Sequence, residues 1–166
     1  MFLNVTEEYF AGHSLIKNKM KLLDLILFSI SLVITPAKWG TNFTQAKKVA
    51  SENNKFLILN FSGSDWCGPC IQLKREIFDS DVFNAYASQN FELVNADFPR
   101  QKKNKLPPEL TQQNDSLASI YNPNGEFPLT ILFNPQGKII KEWEGFPGVS
   151  SQEFVNQVKT IVDANH

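Results

Sequence analysis

The chain has two cysteines, two histidines and two methionines in 166 residues, and no surplus of charge: 16 basic side chains stand against 17 acidic ones. Each scarcity excludes something. Two cysteines are too few for half of a four-thiolate zinc site plus its partner pair, or for a disulfide framework. The histidines, His13 and His166, lie outside the predicted core, so a cysteine–histidine protease arrangement has no support. A net charge of -1 leaves no electrostatic footprint for nucleic acid. No G-x-G-x-x-G run occurs, so a nicotinamide dinucleotide has no loop of that type to bind. No apolar run reaches the roughly 20 residues of a comfortable membrane span. Internal repeats and low-complexity segments are missing too.

What is present suits one globular core: 42% of the residues are hydrophobic and 14 are phenylalanine. Asn42 followed by Gln45 reads as a helix cap, opening a helix with Phe43, Ala46, Val49 and Ala50 on one face and a stop at Asn53-Asn54. Phe56–Phe61 is too apolar for an edge strand and is expected at the centre of a sheet. After a turn at Ser62–Asp65, a helix is expected from Cys67 to Phe78, and a short one from Asp79-Ser80-Asp81 through Tyr86. Phe91–Asp97 reads as a strand and residues 99–107 as a loop rich in Arg100, Lys102, Lys103 and Lys105. Such a charge run is ordinarily a solvated loop, and its alternative use is to steer an acidic partner. Pro107-Pro108 suits the first turn of a helix ending near Tyr121. Two strands, Pro128–Asn134 and Lys138–Trp143, flank a short hairpin loop. Ser150 and Glu153 cap a last helix whose buried side carries Phe154, Val155, Val158, Ile161 and Val162.

Both cysteines fall in Trp66-Cys67-Gly68-Pro69-Cys70, directly after the apolar run. At the start of a helix this spacing puts one sulfur at the N-terminus and the other one turn later. The first faces unpaired N–H groups and the positive end of the helix dipole, which favour its thiolate. The second lies close enough to close a disulfide. The pair reads as a redox-active dithiol, and no metal site is expected.

The strand–turn–W-C-G-P-C–helix run resembles the thioredoxin superfamily. Asn60-Phe61-Ser62-Gly63-Ser64-Asp65-Trp66-Cys67, Ala96–Arg100, Leu106–Leu110 and Phe127-Pro128-Leu129-Thr130 resemble a subfamily of exported, thioredoxin-like bacterial proteins related to thiol:disulfide interchange proteins. The resemblance covers roughly residues 38–164. It implies an α/β, thioredoxin-like fold, with a central mixed β-sheet flanked by helices in a single domain, residues 38–166.

The resemblance also implies roles. Cys67 would be the nucleophile and Cys70, more buried, the resolving thiol. At a helix terminus the Cys67 pKa should fall from about 8.5 towards about 7. Pro69 would stiffen the geometry between the sulfurs. The Gly68-Pro69 spacer resembles reducing relatives near about -270 mV rather than oxidising ones near about -120 mV. Trp66 is expected beside the Cys67 sulfur as an exposed aromatic that helps to form a flat substrate surface, the alternative being ordinary core packing. Pro128 is expected to be cis, with the Phe127 backbone offered to an extended substrate strand; bulky Phe127 should reshape that groove. One position departs from the pattern. Where relatives often carry a buried carboxylate that assists the resolving thiol, this chain has Asn60, which cannot act as a general base. Either water or Asp65 substitutes, or Cys70 is activated less well; Asp65 otherwise reads as a solvated turn residue.

Residues 22–35 form an apolar block of signal-peptide length, preceded by Lys17, Lys19 and Lys21. Thr35-Pro36-Ala37 suits cleavage after Ala37. The rival reading is an uncleaved anchor with Trp39 at the membrane interface. Asp24 is unusual under both. Residues 1–37 are thus expected to be a signal peptide or anchor, with Met20 as the true start and residues 1–19 a gene-model extension or, alternatively, a long n-region.

Together these features predict an exported thiol:disulfide oxidoreductase in a periplasmic or extracytoplasmic compartment, reducing or isomerising protein disulfides. It would need no cofactor beyond the Cys67–Cys70 pair, would touch the membrane only through its N-terminal segment, and would draw electrons from a membrane donor protein. The alternatives are a thiol oxidase or peroxidase-like protein, and a binding module with little turnover.

Overall fold

The computed structural model describes residues 37–165. The apolar block and the lysines before it lie outside the described residues, as does His166. Five strands form one mixed sheet: β1 (Trp39–Gly40), β2 (Phe56–Ser62), β3 (Phe91–Asp97), β4 (Leu129–Phe133) and β5 (Ile139–Glu144), in spatial order β1-β3-β2-β4-β5. β3 runs parallel to β1 and β2, whereas β4 runs antiparallel to β2 and β5. Every residue of β2 is buried, as a central strand with both faces covered requires.

The pleat of β2 divides the core in two. Phe56 and Ile58 face a cluster with Leu73, Ile77, Phe83, Leu132 and Phe154. Leu57, Leu59 and Phe61 face the other cluster, with Phe43, Val94, Leu117, Ile131 and Phe133. Helices α1 (Phe43–Glu52) and α4 (Pro108–Tyr121) cover this second face. The first face is covered by α2 (Gly68–Leu73), α3 (Asp81–Asn90) and α5 (Ser151–Asp163). This is a thioredoxin-like fold in a single domain. Among the described residues, no helix is long and apolar enough to cross a membrane.

The helix caps follow the sequence: the side chains of Asn42, Ser80 and Ser150 accept the N–H groups of Gln45, Phe83 and Glu153. The hairpin turn closes through the Gly137 N–H on the Asn134 carbonyl at 2.8 Å, with Gly137 at φ 78°.

Four details differ from expectation. The helix after the cysteines is not uniform: α2 ends at Leu73 and a π-helical turn spans Lys74–Phe78, closed by Asp79 N–H on the Lys74 carbonyl at 2.8 Å. The wider turn coincides with adjacent Ile77 and Phe78 both being buried. Helix α3 continues past Tyr86 to Asn90, since Ala87 is buried against the core and the Asn90 side chain caps the Tyr86 carbonyl. The basic loop contains a 3-10 turn at Lys102–Asn104. Strand β1 was not foreseen. It makes Trp39 part of the domain, its ring packed 4.8 Å from that of Phe78 and 6.5 Å from that of Phe83. Its aromatic surface is used in the fold, and the ring stays half-buried.

Candidate active site

Strand β2 delivers the chain to the site, and the turn 63–66 hands it to α2. Cys67 is the N-cap of α2, in extended conformation, with its Sγ accepting the Cys70 N–H at 3.2 Å. Pro69 occupies the first turn, where its missing N–H leaves no hydrogen bond unmade. Cys67 and Cys70 are joined as a disulfide, with Cα atoms 5.3 Å apart. Both are equally buried, at 5% exposure, so residue burial in this oxidised state does not rank Cys70 below Cys67. Gly68 and Pro69 are exposed, and a Cβ added at Gly68 would meet nothing within 4 Å.

Trp66 is held, not loose. Its Nε1 donates to the Phe98 carbonyl at 2.7 Å, its ring meets the Phe127 ring edge-on at 5.4 Å, and the Arg100 guanidinium lies 3.6 Å over it. Phe98 also meets Phe127 edge-on at 5.4 Å. Trp66 is therefore a half-buried ring capped by a cation, not an exposed one. Gly63 permits this: an added Cβ would lie 2.5 Å from Trp66 Nε1 and 2.6 Å from its Cζ2. Nothing in the local sequence marks that glycine as distinct from a flexible turn residue.

Asn60 is buried in β2. Its Nδ2 donates to Asn95 Oδ1 at 2.9 Å and its Oδ1 accepts the Thr130 hydroxyl at 3.0 Å. The three residues are register partners across β3, β2 and β4, a polar row in an apolar sheet. Asn60 and Cys70 line one cleft of about 370 Å³, with Asn95 and Lys74.

Asp65 is turned away from this chemistry. Its carboxylate accepts the N–H groups of Arg100 and Gln101 and the Asn104 side chain, each at 2.9 Å. The Arg100 N–H, followed by the Asn104 amide and the Gln101 N–H, holds its carboxyl below the usual range. Asp65 is thus neither a free base for Cys70 nor a merely solvated turn residue; it anchors the basic loop. Asp97 plays the matching part on the other side of the turn, accepting the Ser64 N–H at 2.8 Å and the hydroxyls of Ser64 and Ser62 at 2.6 and 3.2 Å. Its place in the sequence, at the end of a strand, gave no sign of this role.

The Phe127–Pro128 peptide is cis. Phe127 stands before β4 and, among the described residues, its backbone N–H and C=O have no hydrogen-bond partner. Its ring and that of Trp66 border a second cleft, of about 610 Å³. Among the described residues no cluster of histidine, cysteine and carboxylate side chains is arranged to hold a metal ion.

Residues 43–161 match the sequence profile of a family described as thioredoxin-like domain. The disulfide bond reductase DsbH of Chlamydia pneumoniae is 31% identical over 121 residues, 73% of this chain and 70% of that protein. The thioredoxin-related protein DsbJ of the same organism is 25% identical over 156 residues, which is 89% of this chain but only 44% of that longer protein. A solved structure of a DsbH oxidoreductase superposes with a TM-score of 0.70 at 29% identity, covering 78% of this chain and 86% of that one.

Proposed function

The chain belongs to the thioredoxin-like domain family, and we propose that within it the Cys67–Cys70 pair reduces protein disulfides outside the cytoplasm. The protein is a thiol:disulfide oxidoreductase. One observation carries the assignment of roles: the Cys67 Sγ, at the N-cap of α2, accepts the Cys70 N–H at 3.2 Å. The same donor, next to the positive end of the helix, stabilises a thiolate on Cys67 once the disulfide is reduced.

The Cys67 thiolate attacks one sulfur of a substrate disulfide. The sulfur–sulfur bond of the substrate breaks, its leaving sulfur takes a proton, and Cys67 is left in a mixed disulfide. Cys70 loses its proton to water in the cleft that it shares with Asn60 and attacks the Cys67 sulfur. The second substrate sulfur departs and is protonated. The substrate gains two electrons and two protons, and the chain ends with the Cys67–Cys70 disulfide. A dithiol donor reverses that last state by the same exchange. The sulfurs carry the electrons, so no further cofactor is required.

The reducing direction is supported by the Gly68-Pro69 spacer and by similarity to a protein named as a disulfide bond reductase. The free backbone of Phe127, beside Pro128, suits pairing with an extended substrate segment. The N-terminal lysines and apolar block support export, with cleavage after Ala37 or retention as an anchor, and a membrane protein as the dithiol donor.

A Cys70→Ser chain, expressed in full, should accumulate mixed disulfides through Cys67, seen as reductant-sensitive bands on non-reducing gels. If no substrate is captured and the unaltered protein reduces no protein disulfide, the assignment fails. Intact-mass measurement of the mature protein should show a start near Lys38 if the segment is cleaved.

A further inference from the structure

The cleft between Trp66 and Phe127 has a composition that disulfide exchange alone does not require. Its half-buried wall is aromatic: Trp66, Phe98 and Phe127. Its exposed side carries Arg100, Lys102 and Lys105. The loop that supplies them, residues 99–107, contains four basic residues and no acidic one, in a chain whose net charge is -1. The five ion pairs among the described residues use Lys48, Lys55, Lys74, Arg75 and Lys159, so all three cations of the cleft lack an acidic partner there.

Two carboxylates also line the cleft, Asp97 and Asp115. Asp97 accepts hydrogen bonds from Ser62 and Ser64 and Asp115 is exposed on α4, so the three cations outnumber the two carboxylates of the lining. The loop is also fixed in place. Asp65 binds the backbone of Arg100 and Gln101 and the side chain of Asn104, so the backbone that carries these charges is tied to the residue next to Trp66. A loop whose backbone is already positioned loses less ordering entropy when a ligand arrives. Arg100 stacks its face on Trp66, which leaves the edge donors of its guanidinium free for a carboxylate.

We propose that this cleft is a docking subsite for an acidic peptide segment flanking the substrate cysteine. The proposal rests on the oxidoreductase reading above and names the substrate class of that same site. An extended segment paired with the Phe127 backbone continues directly into the cleft. An apolar side chain then lies on the aromatic wall, and carboxylates meet Arg100, Lys102 and Lys105. A volume of about 610 Å³ is in the range of pockets that enclose a sizeable ligand. A small anion would use the charges but not the aromatic wall or the Phe127 backbone.

The test compares peptides carrying one intramolecular disulfide and an aromatic residue, differing only in whether three flanking positions are Glu or Gln. The full chain is assayed with dithiothreitol as electron donor, and kcat/KM is measured for each. The Glu peptide should be reduced about tenfold faster than the Gln peptide at low ionic strength. That ratio should collapse towards one near about 0.5 M salt and in a Lys102→Gln, Lys105→Gln double variant. Because the readout is a ratio within each protein, a partly unfolded variant does not imitate the effect. Equal rates on Glu and Gln peptides would overturn the subsite and leave the oxidoreductase reading intact. Oxidised glutathione reduced faster than the Glu peptide, with the same sensitivity to the two lysines, would overturn the peptide assignment. Reduction of no peptide at all would overturn the oxidoreductase reading and the subsite with it.

Discussion

Asn60 accepts the hydroxyl of Thr130 at 3.0 Å, across the antiparallel register of β2 and β4. With Asn95 taking the other end of the amide, both polar atoms of Asn60 are satisfied inside the sheet. The residue that stands where the resemblance implies a carboxylate is therefore held as a structural bridge, and it lines one cleft with Cys70.

An Asn60→Asp variant should test that substitution. Thr130 can still donate to the carboxylate, and Asn95 can flip its amide to donate as well, but burial raises the folded pKa above the unfolded value of about 3.9. An acid whose folded pKa is raised destabilises progressively as pH rises between the two values. Urea denaturation should show a small gap from wild type at pH 4 and a loss of about 2–4 kcal/mol at pH 8. Stopped-flow resolution of the mixed disulfide should be faster than wild type above neutral pH. An unchanged or slower rate would mean that water already suffices.

The two sulfurs should react unequally despite equal burial in the disulfide state. Only Cys67 has a backbone donor on its sulfur, the Cys70 N–H. In the reduced protein, alkylation against pH should give Cys67 an apparent pKa about one to two units below the free value of about 8.5, with Cys70 reacting more slowly. Equal rates would contradict the electrostatic argument.

Gly63→Ala should disturb the site without touching a cysteine. The new methyl would overlap the indole of Trp66, so the ring must move and lose its bond to the Phe98 carbonyl. A stability loss of about 1–3 kcal/mol is expected, together with slower disulfide reduction. Gly68→Ala, where a Cβ meets nothing, is the control and should leave stability nearly unchanged.

Asp65→Ala should release the basic loop. Amide exchange at Arg100 and Gln101 should accelerate, because both N–H groups lose their acceptor. In the wild type the Asp65 carboxyl is held below its usual range. Its contribution is therefore complete above the unfolded value of about 3.9 and is lost as pH falls through the lower folded value. Protection at these two amides should follow that curve in the wild type and be flat with pH in the variant.

Much of the fold was legible because its signals are local. The apolar Phe56–Phe61 run reads as a doubly covered strand, and the caps at Asn42 and Ser150 act within three residues of themselves. Strand β1 escaped because two residues carry no periodicity; it exists through pairing with Leu93 and Val94. The π-helical turn escaped for a related reason: side chains elsewhere in the core, among them Phe83 and Phe154, surround Phe78.

By itself the sequence determined the dithiol, its place at the start of a helix and the apolar strand that delivers it, since each depends on residues adjacent in the chain. Tertiary structure alone decided what the polar residues around it do. Asp65 lies two residues from Cys67, yet its carboxylate is held by residues 100–104. Asn60 finds its partners 35 residues away in Asn95 and 70 away in Thr130. A carboxylate or amide has the same donors and acceptors wherever it stands in a sequence. Which groups fill them is set by strand order and loop path, and these exist only once the chain has folded.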